Sequence, residues 1–285
     1  MLKKTIAHLV FTFLLISNTT QASEKQISIT IDDLPFVGVS GEREGLRRGY
    51  ERFNKILQTL IDEQVPATGF VIAGAIAKGQ WELLENFQKQ GFIIGNHTYT
   101  HPSLNEIGAE KYINEIEKAD KRLTPLMPDK KYFRYPYLAE GRGGNRYRVK
   151  EYLAENQYIV APVTIDSKDF IFNKQLLAIN WRNRSSQLNR IKERYLKYIL
   201  KQTEIAERMA NGRPVKEILL VHSNLLNSYM IGDVIQLYKE HGYRFISLEE
   251  ALDPSPPQPQ IKQSKFTLFK NKFARRKPLP DNHML

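Results

Sequence analysis

Apolar positions along this chain fall into two alternating patterns. Short, dense apolar runs exchange with longer stretches in which apolar residues recur three and four positions apart. The β-rich run Ile27–Ile31 comes first, and Phe53, Ile56, Leu57, Leu60 and Ile61 then follow helical spacing. Pro66 and Gly69 bracket the approach to a strand at Phe70–Ile72. Trp81–Gln90 reads as a helix stopped by Gly91, and Phe92–Ile94 as the next strand. Tyr112, Ile113, Ile116 and Leu123 mark another helix, Tyr132–Arg134 a strand, Val149–Ala154 a helical stretch and Tyr158–Ile165 a strand. A long helix over Ile191–Met209, a strand at Glu217–Val221, a helix at Val234–Glu240 and a strand at Tyr243–Ser247 complete the series. No internal repeat is visible. Such alternation predicts an α/β fold with parallel strands and outer helices. About seven units of this kind fit a distorted (β/α)7-type barrel better than two small domains. In that architecture chemistry gathers where strands end.

The two ends of the chain read differently. Lys3 and Lys4 precede a mostly apolar run, Ile6–Ile16, which is followed by Thr20-Gln21-Ala22. This pattern predicts a signal peptide over residues 1–22, cleaved before Ser23, and hence export to the periplasm or the extracellular space. Residues 23–253 form the expected catalytic domain. Residues 254–285 begin with a Pro-rich linker and then carry seven Lys and Arg residues against Asp281. They read as a solvated, disordered tail that makes at most weak contact with an anionic envelope surface. The net charge of +11 therefore belongs mostly to the tail, and no nucleic-acid partner is expected. The sequence pattern specifies no oligomeric state. A hydrophobic fraction of 41% excludes a wholly disordered chain. The absence of Cys excludes disulfide scaffolds, thiolate metal sites and a Cys nucleophile. Any metal site must be built from His, Asp and Glu.

Five groups of polar residues follow predicted strands. Asp32-Asp33 come directly after the first; adjacent carboxylates there repel each other unless a cation is near, although a turn or helix cap would also use them. His97 and His101 are four residues apart, a spacing that lets two imidazoles share a metal on one side of a turn. Arg134, in Phe133-Arg-Tyr-Pro-Tyr137, can pair with a buried Asp, and the Tyr137 N–H is free to bond. Asp166 and Asp169 follow a fourth strand and His222 a fifth. Taken singly, each has an ordinary structural explanation. Together they occupy one rim, as an active site on this fold does. Two neutral imidazoles and a carboxylate make a three-ligand site with open positions. A second Asp can accept a proton from water and a further His can protonate a leaving group, so metal-assisted hydrolysis of a carbonyl compound fits the set.

In order, spacing and strand context these motifs resemble the polysaccharide deacetylases of carbohydrate esterase family 4, the NodB-homology domain, over roughly residues 27–250. The resemblance implies Asp32 as general base and Asp33, His97 and His101 as ligands of Zn²⁺ or another divalent ion such as Co²⁺, Ni²⁺ or Mn²⁺. It implies that Arg134 pairs with the base, that the Tyr137 N–H lies in an oxyanion hole and that Leu220 lines an acetyl-methyl pocket. His222 would be the general acid, oriented by Asp166 or Asp169. The expected substrate is an N-acetylated glycan: peptidoglycan, a chitin-like oligomer or poly-N-acetylglucosamine. An O-acetyl esterase acting on xylan or another glycan, and a non-catalytic glycan-binding protein, are the competing readings. Leu138, Phe170 and Ser223 depart from the family pattern, which often has Gly, Trp and Asp at these places. The stretch Ile171–Lys216 is long for the family, and its Trp181, Arg182 and Arg184 suit contact with a sugar chain, although most of it reads as a packing helix.

Overall fold

A computed structural model describes residues 24–36, 43–211 and 216–254. The expected signal peptide and all of the expected tail except Pro254 lie outside the described residues. The elements run in the order β1 (Lys25–Leu34), α1 (Arg43–Asp62), β2 (Ala67–Val71), α2 (Trp81–Lys89), β3 (Ile93–Asn96), α3 (Leu104–Ile107), α4 (Ala109–Leu123) and β4 (Lys131–Phe133). They continue with α5 (Gly143–Glu155), β5 (Tyr158–Val160), β6 (Ile165–Asp166), α6 (Asp169–Ala178), α7 (Arg184–Met209), β7 (Lys216–His222), α8 (Asn227–Glu240), β8 (Tyr243–Phe245) and α9 (Leu248–Leu252). Among the described residues no helix is long and apolar enough to cross a membrane.

The strands form one sheet in the order β5-β4-β3-β2-β1-β7-β6, and every pairing is parallel. β8 joins the lower half of β1, below the stretch that pairs with β2. The sequence predicts a single strand over Tyr158–Ile165, but the chain makes two. β5 pairs with β4 at one edge of the sheet, and β6 with β7 at the other. Pro162 has no N–H with which to continue a ladder. Residues 161–164 instead cross the opening between the two edges, so the barrel is incomplete on that side.

β1 shows how the layers divide. Ile27, Ile29 and Ile31 are fully buried and join the large cluster formed with α1, α2, α7 and α8. The alternate residues Gln26, Ser28, Thr30 and Asp32 are also buried, on the concave side. That side is lined lower down by Phe70, Tyr132, Ala161 and Ile218, with Leu248 of α9 closing the base. The helices that cover the sheet begin where strands end, so the strand-to-helix loops gather on one rim.

Gly95 of β3 sets how closely this interior packs. A Cβ there would lie 2.6 Å from Phe70 Cε1 and 3.0 Å from the Tyr132 carbonyl oxygen, which cannot rotate away. Gly95→Ala is therefore expected to lower stability by about 1–3 kcal/mol in denaturant unfolding. An unchanged midpoint would show that Phe70 yields freely.

Candidate active site

Adjacent residues on a regular strand point to opposite faces, yet Asp32 and Asp33 line the same cavity. The cause is a bulge. Ile31 pairs with Gly69 and Leu34 with Val71, so β1 spends one residue more than β2. Asp33 takes up the difference at φ 64°. The backbone N–H of Ser223 donates to the Asp32 carbonyl (3.1 Å) and secures the bulged end against the neighbouring strand.

β3 ends at Asn96, and the histidine loop follows. Asn96 is fully buried and its side chain is fully used. Its Oδ1 accepts from the Thr98 N–H (2.8 Å), while its Nδ2 donates to the Ile116 carbonyl (3.1 Å) and the Tyr158 hydroxyl (2.9 Å). These bonds hold Thr98 at φ 66°, and Thr98 Oγ1 in turn accepts from the N–H of His101, itself at φ 61°. His97 Nδ1 donates to the Arg134 carbonyl (2.8 Å), which leaves Nε2 with a free lone pair. His97 Nε2 and His101 Nε2 then lie 3.5 Å and 3.4 Å from the same atom, Asp33 Oδ1.

That oxygen is buried and accepts no hydrogen bond. A buried, unpaired carboxylate oxygen is costly. It lies between two imidazole nitrogens, and the three donor atoms are within 4.8 Å of one another, so the set could hold a metal ion. The protonation states suit this role. Burial raises the Asp33 carboxyl, but His97, His222 and His101 outweigh it and hold it at about 2. Burial, then His97, pushes His101 down to about 4. At neutral pH the set therefore offers a carboxylate and a neutral imidazole without first shedding protons.

Arg134 is buried directly beneath. Its Nη1 lies 3.4 Å and 3.5 Å from the two Asp32 oxygens, and Nη2 donates to Thr30 Oγ1 (3.1 Å) and the Pro162 carbonyl (3.3 Å). Nε donates to the Ala161 carbonyl (2.9 Å), and the guanidinium carbon stands 4.7 Å from the Phe70 ring centroid. The side chain thereby ties β1 to the crossing segment.

His222, at the end of β7, pairs with Asp169. Its Nδ1 lies 2.6 Å from Asp169 Oδ1, and its own N–H donates to Oδ2 (2.7 Å). Asn224 and Asn227 also donate to Oδ2, so this fully buried carboxylate is saturated. Burial alone would lower the His222 pKa, but Asp169 raises it to about 10. Of the two candidate orienting acids, only Asp169 fits. Asp166 does not contact His222. It turns back on Lys168, accepting from the Lys168 N–H (3.0 Å) and pairing with Nζ (2.6 Å), because Lys168 is left-handed at φ 50° and folds over it. The sequence places Asp169 after a strand, but it opens helix α6, and that start buries it.

Asp32, Asp33, His97, His101, Asp166 and His222 line one cavity of about 420 Å³, with Tyr137, Leu138, Phe170 and Leu220 on its walls. Tyr137 stands at φ 57° in a short 3₁₀ turn, its ring 4.6 Å from that of His101. The turn is closed by the N–H groups of Leu138 and Ala139, so that of Tyr137 is not consumed. Leu138 is left-handed at φ 55°, the conformation that favours Gly at this place in the family pattern. Buried Ser223 donates to the Pro35 carbonyl (2.9 Å). Thr30, Asn96, Asn224 and Asn227 escape a sequence reading, because each makes hydrogen bonds to residues distant along the chain.

The family model described as "Polysaccharide deacetylase" matches residues 19–155. A chitooligosaccharide deacetylase of Sinorhizobium fredii is 34% identical over 85 residues, 29% of this chain and 39% of that protein. A peptidoglycan-N-acetylglucosamine deacetylase of Bacillus cereus is 26% identical over 151 residues, 52% of this chain and 47% of that protein. The chain thus spans less than half the length of each of these curated relatives. Among solved structures, a CE4 family pseudoenzyme from Bacillus anthracis superposes with a TM-score of 0.57 at 18% identity, covering 82% of this chain and 68% of that one. A mutant of that pseudoenzyme has restored enzymatic activity. The parallel half-barrel matches the fold of these solved structures, and residues 19–155 match the polysaccharide deacetylase family.

Proposed function

We propose that this chain is a divalent-metal-dependent hydrolase that removes N-acetyl groups from N-acetylglucosamine units of a polysaccharide or peptidoglycan and releases acetate. The observation that carries the reading is the convergence of both imidazoles on the unsatisfied Asp33 oxygen, in a cavity that also holds Asp32 and His222. The names of the matched relatives support the substrate class. The pattern of residues 1–22 supports export, to the periplasm or beyond.

Asp33, His97 and His101 would hold Zn²⁺ or a similar ion. Such an ion supplies Lewis-acid polarisation of a carbonyl and a lowered pKa for water. The chain's own groups supply the rest. Asp32, steered by Arg134, accepts the proton of the attacking water at a carboxylate oxygen. The Tyr137 N–H donates to the carbonyl oxygen as negative charge develops there. His222, protonated against Asp169, donates from Nε2 to the departing sugar amine. Leu220 faces the acetyl methyl group. The two products are acetate and a glucosamine unit.

A second reading, glycan binding without turnover, is favoured by the likeness to a pseudoenzyme. Substitutions separate the two. His101→Ala is expected to lose divalent-ion affinity and acetate release together, whereas Asp32→Asn should keep the ion and lose about two to four orders of magnitude in turnover. Full turnover in either variant would remove that residue from its role.

The His222–Asp169 pair also predicts a pH dependence. The folded pKa of about 10 lies above the ordinary 6.5, so the stabilisation is complete below about 6.5 and is lost as pH rises through about 10. In the metal-free protein the unfolding free energy should fall across that window, and His222→Asn should remove this component. Parallel profiles for the two proteins would contradict the pairing.

A further inference from the structure

A line of exposed side chains leads away from the cavity along α6. Phe170, Lys174 and Leu177 stand at i, i+4 and i+7, so they share one helix face, and all three are exposed. Phe170 also lines the cavity, its ring 6.2 Å from that of His222. Beyond the end of α6 comes a corner, Trp181–Asn183, with Trp181 67% exposed.

A single exposed apolar side chain needs no explanation, but these are not scattered. Of the ten large hydrophobic side chains exposed among the described residues, two line the cavity opposite and four fall within Phe170–Trp181. The corner is also firmly built. Asn180 Oδ1 accepts from the Arg182 N–H (3.1 Å), and Arg184 donates to the carbonyls of Ile179 (3.1 Å) and Leu177 (3.3 Å). The Arg182 guanidinium carbon lies 4.8 Å from the Trp181 ring centroid, which covers one ring face and leaves an oriented indole in water. An indole stacks on the apolar face of a sugar ring, and a neighbouring guanidinium supplies donors for its hydroxyl or carboxylate oxygens. At 1.5 Å per residue, Leu177 stands about 10 Å beyond Phe170 along the helix. A cavity of about 420 Å³ is the size of a small-ligand site, so a polymer must continue outside it.

We propose that Trp181 and Arg182 form an outer glycan-binding platform, reached from the cavity along the exposed face of α6, for the polymer whose reacting unit sits in the cavity. This rests on the deacetylase reading for its ligand class, but it concerns binding and is testable without turnover.

The chain has two tryptophans, Trp81 and Trp181. Intrinsic emission of the full chain is followed during titration with N-acetylglucosamine oligomers from the monosaccharide to the hexamer, and acetate release is measured on the same sugars. The hexamer should shift the emission and the monosaccharide should not. The response should survive Trp81→Phe and vanish in Trp181→Phe. Trp181→Ala and Arg182→Ala should each weaken hexamer binding about fivefold to tenfold, with unchanged thermal midpoints. Acetate release accompanied by no emission change, and unaffected by Trp181→Ala, would overturn the platform and leave the deacetylase reading standing. An emission shift without acetate release would support the platform and count against that reading. Silence in both would overturn the platform.

Discussion

A buried guanidinium governs the upper half of this barrel. Arg134 is almost completely removed from solvent, and a charge in that position persists only if it is paired and hydrogen-bonded. Its demands are met by Asp32, Thr30 and the carbonyls of Ala161 and Pro162, which lie on the first strand and on the segment that crosses between the two sheet edges. Removing one member of such a pair costs about 3–5 kcal/mol, a large share of the roughly 5–15 kcal/mol that separates folded from unfolded domains. The same residue reaches the histidine loop through its main chain, since its carbonyl oxygen accepts from His97 Nδ1. One residue therefore fixes the carboxylate assigned as base and orients an imidazole assigned to the metal.

The rim built around it carries conformational strain. Among the described residues, nine non-glycine residues have positive φ, and six of them, Asp33, Thr98, His101, Tyr137, Leu138 and Lys168, lie in the strand bulge and the loops of the site. Such conformations cost about 1–3 kcal/mol each. They persist because neighbours over-determine them: the bulge in the first strand, the saturated Asn96 side chain, and the buried Asp169 with its surrounding donors. Strain here turns adjacent side chains toward a common point, which regular strands would not do.

Much of this could be read from the residue pattern. The alternation of apolar runs and helical spacing led to a parallel α/β barrel, and strand ends marked where Asp32, Asp33, His97, His101, Arg134 and His222 would gather. What escaped was decided at long range. Tyr158–Ile165 looks like one strand because its residues favour strand, but Pro162 and the partners available at the two edges divide it. Asp166 and Asp169 look equivalent along the chain. Only the left-handed turn at Lys168, and the start of a helix one residue later, send the first toward a lysine and the second toward His222. Asn96, Asn224 and Asn227 are not marked by local pattern alone, since each also has a partner set by the packing of separate elements.

The most direct test of the account is acetate release by the purified protein from a panel of N- and O-acetylated glycans, after chelation and again after adding back Zn²⁺. The account predicts that release from an N-acetylglucosamine polymer or oligomer is lost on chelation and restored by the ion. Release that persists without any divalent ion would contradict the role given to Asp33, His97 and His101. Release from O-acetylated glycans alone would contradict the N-deacetylase assignment.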